Sequence, residues 1–218
     1  MSVSAALFDM DRTLVKKDTA TLYMRYRRDI GEAGFRDAAQ VAWWVFQYSL
    51  GIIDAPRVAA RALAAFRGMP EHELVAASEL WFRNYVVEHV SDQARAAVRR
   101  YQDAGAPVAI VTGATPYAAA PLARELDIDE VICTELEVDA AGNLTGEWRE
   151  PMCYGTGKIV LAERFARRAG FDLESAAFYS DSITDLPLLE RVKSPIVINP
   201  DRRLRRVATR RGWPIELW

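Results

Sequence analysis

Two aspartates near the start of the chain, Asp9 and Asp11, have the spacing of a catalytic pair within the stretch FDMDRTL. They directly follow a short apolar run that is typical of a buried strand, so one loop would carry both carboxylates. If the first carboxylate attacks phosphorus and the second transfers a proton, the protein breaks phosphate esters. If the two only bind an ion or cap a helix, it does not.

A second polar site follows the apolar run 107–111, where Thr112 and Gly113 lead into a predicted helix. Thr115 has the position of a helix cap, and Pro116 that of the first helical residue. Such a terminus offers backbone N–H groups, a hydroxyl and a favourable dipole to an anion. Taken alone, the threonine and glycine also fit an ordinary turn.

Asp181 and Asp185 again place carboxylates after an apolar run, 176–179. Asp185 alone would also fit a helix cap. Lys158 lies between these sites along the chain, at the start of a predicted helix, where a lysine is usually on the surface. In a phosphate pocket it would have a definite task, because a dianionic phosphate beside several carboxylates requires a cation.

The elements that must position these groups alternate between strand and helix. This alternation favours an α/β fold with a parallel sheet covered on both faces. In such sheets, ligands bind at the carboxyl ends of the strands. The predicted strands are 3–8, 107–111, 176–179 and 195–198, and the intervening helices include 93–104, 117–126 and 158–169.

Two segments interrupt the alternation. Residues 18–88 contain no convincing strand and many helix signals, which indicates an all-helical insertion that can close over the first strand. Residues 135–138 and 144–148 flank a turn-rich connection and predict a short antiparallel hairpin beside the main sheet.

The composition limits the class of protein. A chain of 218 residues with 50% hydrophobic and 27% charged residues is typical of a soluble globular protein. Its net charge of -2 gives no global field for a polyanion, so nucleic acid is excluded as the main partner. Cys133 and Cys153 have no metal-type spacing and are too few for a disulfide framework, which predicts a cytoplasmic location.

The longest apolar stretch, 38–53, contains polar residues and is shorter than the roughly 20 residues of a membrane span. It predicts a buried or groove-lining helix without stable membrane insertion, and leaves open a contact with a lipid-like substrate. The start of the chain lacks the basic residues of a signal peptide.

A monomer or homodimer is expected. A basic cluster fits a solvated helix face and comprises Arg202, Arg203, Arg205, Arg206, Arg210 and Arg211.

The order of the polar sites is more informative than any one of them. Asp-x-Asp-x-Thr, strand-Thr-Gly, lysine and strand-Ser-Asp-x-x-x-Asp resemble the four motifs of the haloacid dehalogenase superfamily. The helical insertion resembles the cap of its phosphoserine-phosphatase-like branch, subfamily IB. This resemblance implies a three-layer, Rossmann-like core from 1–14 and 88–218, with a mostly parallel sheet, and a helical cap from 15–87.

The resemblance also implies roles for the polar residues. Asp9 would be the nucleophile that forms an aspartyl phosphate, and Asp11 would be the general acid and base. Thr112, Gly113 and Lys158 would bind the phosphate.

A magnesium ion is implied as cofactor, since a hard divalent cation prefers oxygen ligands. Its ligands would be the Asp9 side chain, the Asp11 backbone carbonyl and Asp181, with Asp185 supporting the site.

The resemblance implies that the substrate is a small phosphomonoester and that residues of the cap select it. Asp18 stands where phosphoserine phosphatases usually have a glutamate, and an acid there can bind a substrate ammonium group. The arginine that binds the serine carboxylate in those enzymes aligns with Ala62, and Arg61 is adjacent. An amino-alcohol phosphate such as histidinol phosphate is therefore favoured, with phosphoserine next.

Other functions are compatible with parts of the pattern. A lipid-type phosphate, such as lysophosphatidate or a phosphatidylglycerophosphate-like ester, would use the apolar stretch 38–53. A receiver domain of the response-regulator type also accepts phosphate on an aspartate, but it is shorter, has no large cap and lacks Asp-x-Asp-x-Thr. A scaffold that has lost activity is disfavoured by the intact polar residues.

Overall fold

The computed structural model describes residues 3–32, 34 and 55–218. The strands are β1 (Ala6–Phe8), β2 (Val108–Val111), β3 (Glu130–Ile132), β4 (Leu136–Val138), β5 (Leu144–Trp148), β6 (Ala177–Ser180), β7 (Ser194–Ile198) and β8 (Ile215–Glu216). The helices are α1 (Thr19–Asp29), α2 (Ala55–Ala64), α3 (Glu71–Trp81), α4 (Asp92–Asp103), α5 (Pro116–Glu125), α6 (Thr156–Ala169), α7 (Leu186–Leu189) and α8 (Arg202–Arg211).

Six strands form one sheet in the order β3-β2-β1-β6-β7-β8, and all of its pairs are parallel. Strand β1 lies in the middle, with Leu7 opposite Ala109 of β2 and Phe178 of β6. The chain builds one half of the sheet after β1 and the other half from β6 onward. This order brings the carboxyl ends of β1, β2 and β6 together, and it confirms the predicted α/β fold.

Helices cover both faces of the sheet. Along β1, Ala6 and Phe8 belong to one hydrophobic cluster and Leu7 to the other, because successive strand residues point to opposite faces. Phe8 stacks on Tyr179 at a centroid distance of 4.5 Å. The centre of the sheet is therefore fully buried, and it supports the loops at the carboxyl ends of its strands.

The two connections between the sheet and the helical insertion run side by side. Val15 pairs with Val90 in an isolated antiparallel bridge. The Lys16 N–H donates to the His89 carbonyl at 2.8 Å, and the Ser91 N–H donates to the Leu14 carbonyl at 3.0 Å. A π-helical turn, Phe82–Val86, precedes the returning connection. These bonds fix the position at which the insertion leaves and rejoins the core.

The predicted hairpin forms from β4 and β5, as a separate antiparallel sheet. Helices α2 and α3 pack on it through Leu63 and Leu74, which share a hydrophobic cluster with Leu136 and Leu144. The Gly68 N–H donates to the Leu144 carbonyl at 2.8 Å. The described second half of the insertion thus packs on the hairpin and is hydrogen-bonded to it.

The apolar stretch 38–53 lies outside the described residues. Among the helices of the described residues, none has the length and apolar character needed to cross a membrane.

Candidate active site

Asp9 is the first residue after β1, and its N–H continues the strand by donating to the Tyr179 carbonyl at 2.9 Å. Its carboxylate meets the Lys158 ammonium, with Nζ 2.7 Å from Oδ1. The same Nζ lies 2.8 and 2.9 Å from the two carboxylate oxygens of Asp185. Lys158 is fully buried. One cation therefore joins the first and fourth sequence motifs.

Lys158 reaches this position because α6 begins close to the preceding loop. A Cβ atom at Gly157 would overlap the backbone carbonyl of Met152. Glycine at this position lets the first turn of α6 approach the loop, and the turn directs Lys158 to the carboxyl ends of β1 and β6.

Asp185 occupies the N-cap position of α7 but makes no side-chain capping bond. Its Oδ2 instead accepts from the Ser180 hydroxyl at 2.7 Å, besides contacting Lys158. The alternative role as a helix cap is therefore wrong for this carboxylate. Sequence reasoning did not assign a role to Ser180, although it directly precedes Asp181 in the motif.

Asp181 follows β6 and is buried. Arg12 is its nearest cation, with Nε 3.5 Å from Oδ2. Burial and the negative charges of Asp9 and Asp185 hold the pKa of Asp181 well above its ordinary value, and Arg12 offsets this only in part. Among the described residues, three carboxylates, those of Asp9, Asp181 and Asp185, thus face only two cations, Arg12 and Lys158.

Burial likewise raises the pKa of Asp9 to about 6, while Lys158 acts in the opposite direction. Desolvation together with the charge of Asp18 raises the pKa of Asp11 to about 8. Near neutral pH, Asp9 is thus mostly ionised and Asp11 mostly protonated. Two carboxyl groups in one loop have opposite proton states, which is the division that nucleophile and general acid require.

The N-terminal turn of α1 binds Asp11 and Asp18. The Thr19 N–H donates to Asp11 Oδ1 at 2.8 Å, which holds that carboxyl group in place. Asp18 is the N-cap of α1, and its Oδ1 accepts from the Thr21 N–H at 3.1 Å. Burial raises the pKa of Asp18. Asp18 therefore lies beside the site and has a structural role there.

Thr112 directly follows β2 and is buried; its Oγ1 accepts from the Ala114 N–H at 3.1 Å. Its own hydroxyl hydrogen stays available as a donor. Gly113 is exposed, and its carbonyl accepts from the Thr134 hydroxyl at 3.1 Å. Thr115 is the N-cap residue of α5 but makes no side-chain capping bond, so only its predicted position is confirmed.

Thr134 supports this loop on two sides, since its hydroxyl oxygen also accepts from the Cys153 N–H at 3.2 Å. No motif marked Thr134, because its contacts join distant segments. Arg61 lies exposed on α2, and within the described part of the chain it makes no hydrogen bond or ion pair with the carboxylates of the site.

Across residues 3–32, 34 and 55–218, no three acidic, histidine or cysteine side chains converge as a ready metal-binding group. The oxygen donors at the strand ends nevertheless fit a hard divalent cation. Asp9 and Asp181 follow neighbouring strands, both are buried, and the charge of Asp9 raises the pKa of Asp181. A cation there would relieve this repulsion, with a backbone carbonyl and water completing the oxygen set.

Comparison with known proteins adds to the geometry. A family model described as haloacid dehalogenase-like hydrolase matches residues 6–190. Phosphoserine phosphatase SerB1 of Mycobacterium tuberculosis is 35% identical over 97% of this chain and 70% of its own length. Histidinol-phosphatase of Neisseria meningitidis is 28% identical over 96% of each chain. A solved Bordetella pertussis protein of unknown function is 31% identical, with a TM-score of 0.86, and the match covers 99% of this chain and 98% of that one.

Proposed function

Because this chain belongs to the haloacid dehalogenase-like hydrolase family, we propose that it is a phosphomonoesterase that works through an aspartyl phosphate on Asp9. The observation that carries this proposal is the buried Lys158 ammonium between Asp9 and Asp185, at the carboxyl ends of β1 and β6. The family match and the phosphatase names of the relatives support a phosphatase enzyme.

In the first half-reaction, Asp9 attacks phosphorus in line, the ester oxygen leaves, and Asp11 gives its proton to that oxygen. The proton state of each residue suits its step, since the pKa of Asp9 is about 6 and that of Asp11 about 8. The Thr19 N–H keeps the Asp11 carboxyl group in one orientation. Covalent catalysis divides one difficult displacement into two easier ones.

In the second half-reaction, Asp11 is the base. Having lost its proton, its carboxylate takes one from the attacking water, and the phosphate leaves Asp9. Asp11 is then protonated again and ready for the next ester. One group that alternates between acid and base thus serves both steps.

The transferring phosphate would be held by three donors from separate elements. Lys158 supplies the positive charge, Thr112 a hydroxyl hydrogen and Gly113 a backbone N–H. Phosphoryl transfer depends mainly on positioning and on charge compensation at the equatorial oxygens. The sheet that contains β1 and β2 is buried on both faces, which suits that requirement.

Magnesium is the proposed cofactor. Asp9, Asp181 and the Asp11 backbone carbonyl would hold it, and Asp185 would support the site by anchoring Lys158. When bound, the ion supplies Lewis-acid stabilisation of negative charge on the phosphoryl oxygens.

The proposed substrate is a small amino-alcohol or amino-acid phosphate, with histidinol phosphate favoured over phosphoserine. Asp18 supports an ammonium-bearing substrate, because its carboxylate lies near enough to Asp11 to raise the pKa of that residue. Arg61 is the second proposed substrate residue, and it would have to change its orientation on α2 to contact the substrate. The relatives named histidinol-phosphatase and phosphoserine phosphatase both fall within this substrate class.

A panel of phosphomonoesters tests the proposal. We expect magnesium-dependent turnover of p-nitrophenyl phosphate, and the highest kcat/KM for histidinol phosphate among histidinol phosphate, phosphoserine, phosphoethanolamine and lysophosphatidate. A preference for lysophosphatidate would instead favour the lipid-type phosphatase and assign a function to the stretch 38–53. A single phosphorylation event without sustained release would contradict the hydrolase and favour the receiver-type switch.

Two substitutions test the division of labour between the carboxylates. Asp9→Asn should abolish turnover, because it removes the nucleophile and keeps the shape. Asp11→Asn should slow turnover by about 10²- to 10⁴-fold, the usual contribution of general acid–base catalysis. Steady-state kinetics with thermal unfolding as a folding control would measure both effects. Near-normal activity of Asp9→Asn would exclude the aspartyl-phosphate mechanism.

A further inference from the structure

The short connection between β7 and α8 touches both loops that carry the candidate metal ligands. It consists of Asn199, Pro200 and Asp201, and is called the bridging segment below. Asn199 Nδ2 donates to the Arg12 carbonyl in the first loop at 3.1 Å. In the second loop, the Asp201 N–H donates to the Asp181 carbonyl at 2.9 Å. One segment outside the four motifs thus holds the loops after β1 and β6.

The two carboxylate oxygens of Asp201 have different tasks. Oδ1 caps α8, accepting from the Arg203 and Leu204 N–H groups at 2.7 and 2.8 Å. Oδ2 accepts from the Ile183 N–H at 2.7 Å. A helix cap requires only one oxygen, so capping does not account for the second.

These bonds fix the backbone that follows the Asp181 side chain. The Asp181 carbonyl and the Ile183 N–H both bind Asp201, and the Ser182 N–H donates to the Ser180 hydroxyl oxygen at 3.2 Å. The Ile183 N–H donates to a carboxylate oxygen, and bonds to carboxylates are stronger than those between neutral groups.

The contact with the first loop depends on backbone conformations that few residues adopt. Arg12 and Asn199 both have positive φ angles, 55° and 41°. Asparagine tolerates this region better than most residues. Its side-chain N–H then meets the Arg12 carbonyl, one residue beyond the Asp11 carbonyl that would bind the metal.

We infer that Asp201 is a positioning residue that sets the spacing between the Asp9–Asp11 loop and Asp181, and thereby the affinity of the site for a divalent cation. The inference rests on the proposed function of Asp9 and Asp181 as metal ligands. Both carboxylate oxygens of Asp201 accept from backbone N–H groups, so the residue would act through the loops and not by contact with substrate or metal. Groups that orient metal ligands in this way typically contribute 10- to 100-fold to metal affinity.

Asp201→Asn is the decisive variant. Asparagine keeps the size of the side chain and an oxygen that can cap α8, but it replaces the acceptor of the Ile183 N–H by a second N–H group. Titration calorimetry with magnesium chloride alone should give binding that is about 10- to 100-fold weaker than in the unsubstituted protein. Saturating magnesium should restore most of kcat, which a general loss of folded protein would not allow.

Asp172→Asn is the matched control. Asp172 is also an N-cap, accepting from the Glu174 N–H at 3.0 Å, and it lies before the opposite end of β6. Its substitution should leave magnesium affinity unchanged. If Asp201→Asn does not fold, Asp201→Ser provides the same test, because serine caps helices well but is too short to reach Ile183 as well.

The outcomes separate this inference from the proposed function. Unchanged magnesium affinity in the folded Asp201 variants, with normal binding and turnover in the unsubstituted protein, would overturn the inference and leave the phosphatase in place. The same loss of affinity in Asp172→Asn would also overturn it. An unsubstituted protein that neither binds magnesium nor hydrolyses phosphate esters would overturn both.

Discussion

At the scale of single residues, Lys158 determines how the site tolerates its own negative charge. Its ammonium group is fully buried and contacts Asp9 and Asp185. Two buried carboxylates beside one cation are stable only while that cation is present, since an unpaired buried charge is costly. The same lysine would then bind the phosphate, so one residue would serve both the stability of the site and substrate binding.

Lys158→Met should therefore destabilise the protein, and do so more at high pH. Removal of the ammonium raises the pKa of Asp9 above its value of about 6. An acid whose pKa is raised on folding contributes stability at low pH and loses it as the pH rises through that pKa. We expect a loss of about 3–5 kcal/mol in urea unfolding at about pH 8, and a smaller loss at about pH 5.

Lys193→Met provides the control, because Lys193 is exposed and its substitution also removes one positive charge. This variant should unfold at the same urea concentration as the unsubstituted protein at both pH values. A loss of equal size at both pH values in Lys158→Met would show that the cost comes from packing.

The sequence was sufficient to predict that Asp9, Lys158 and Asp185 meet, but not what orients them. Asp9, Lys158 and Asp185 were recognisable because each follows a strand or begins a helix. Ser180, Thr134 and Asp201 were not, because their hydrogen bonds join segments that are distant in the chain and no periodic pattern marks such partners.

At the scale of elements, the packing of α2 on the hairpin determines where the described second half of the insertion lies. Gly146 of β5 has a φ of +80°. A Cβ atom there would lie 3.3 Å from the Leu63 carbonyl oxygen and from the Arg67 Cβ. The close approach of helix and hairpin thus depends on the missing side chain as well as on the backbone freedom of glycine.

Gly146→Ala should destabilise this contact by more than the cost of the backbone angle alone. A left-handed conformation costs an L-residue about 1–2 kcal/mol, and the tight contact adds to it. Gly142→Ala is the matched control, since its φ is +81° and its Cβ would meet nothing within 4 Å. Thermal unfolding should show a greater loss for Gly146→Ala; equal losses would mean that the hairpin moves aside without cost.

The strands were predictable in proportion to their burial. The apolar runs that form β1, β2, β6 and β7 were recognised, although β1 begins at Ala6 and not at the predicted Val3. Strands β3 and β8 were missed, because they are only partly buried and form no apolar run. Their pairing depends on a neighbouring strand that is already in place.

At the scale of the whole molecule, pH and divalent cations should act together on stability. Burial raises the pKa of Asp9 to about 6 and that of Asp11 to about 8, and holds that of Asp181 well above its ordinary value. Raised pKa values of acids stabilise the fold below their ordinary values near 4, and this contribution is lost as the pH rises toward 8.

Magnesium should therefore raise the Tm more at about pH 8 than at about pH 5, because it binds the ionised carboxylates and must displace protons at low pH. Differential scanning calorimetry with magnesium and with a chelator would measure this difference. Asp181→Asn is the control and should show little magnesium effect at either pH. A shift of equal size at both pH values would mean that the ion binds elsewhere.

The paired connections at Val15 and Val90 have an evolutionary consequence. The hydrogen bonds at Leu14–Ser91 and Lys16–His89 hold the two ends of the insertion side by side, so both ends have fixed positions relative to the sheet. Descendants of this chain could therefore change the length of the inserted segment between these fixed ends without moving the strands that carry the candidate site.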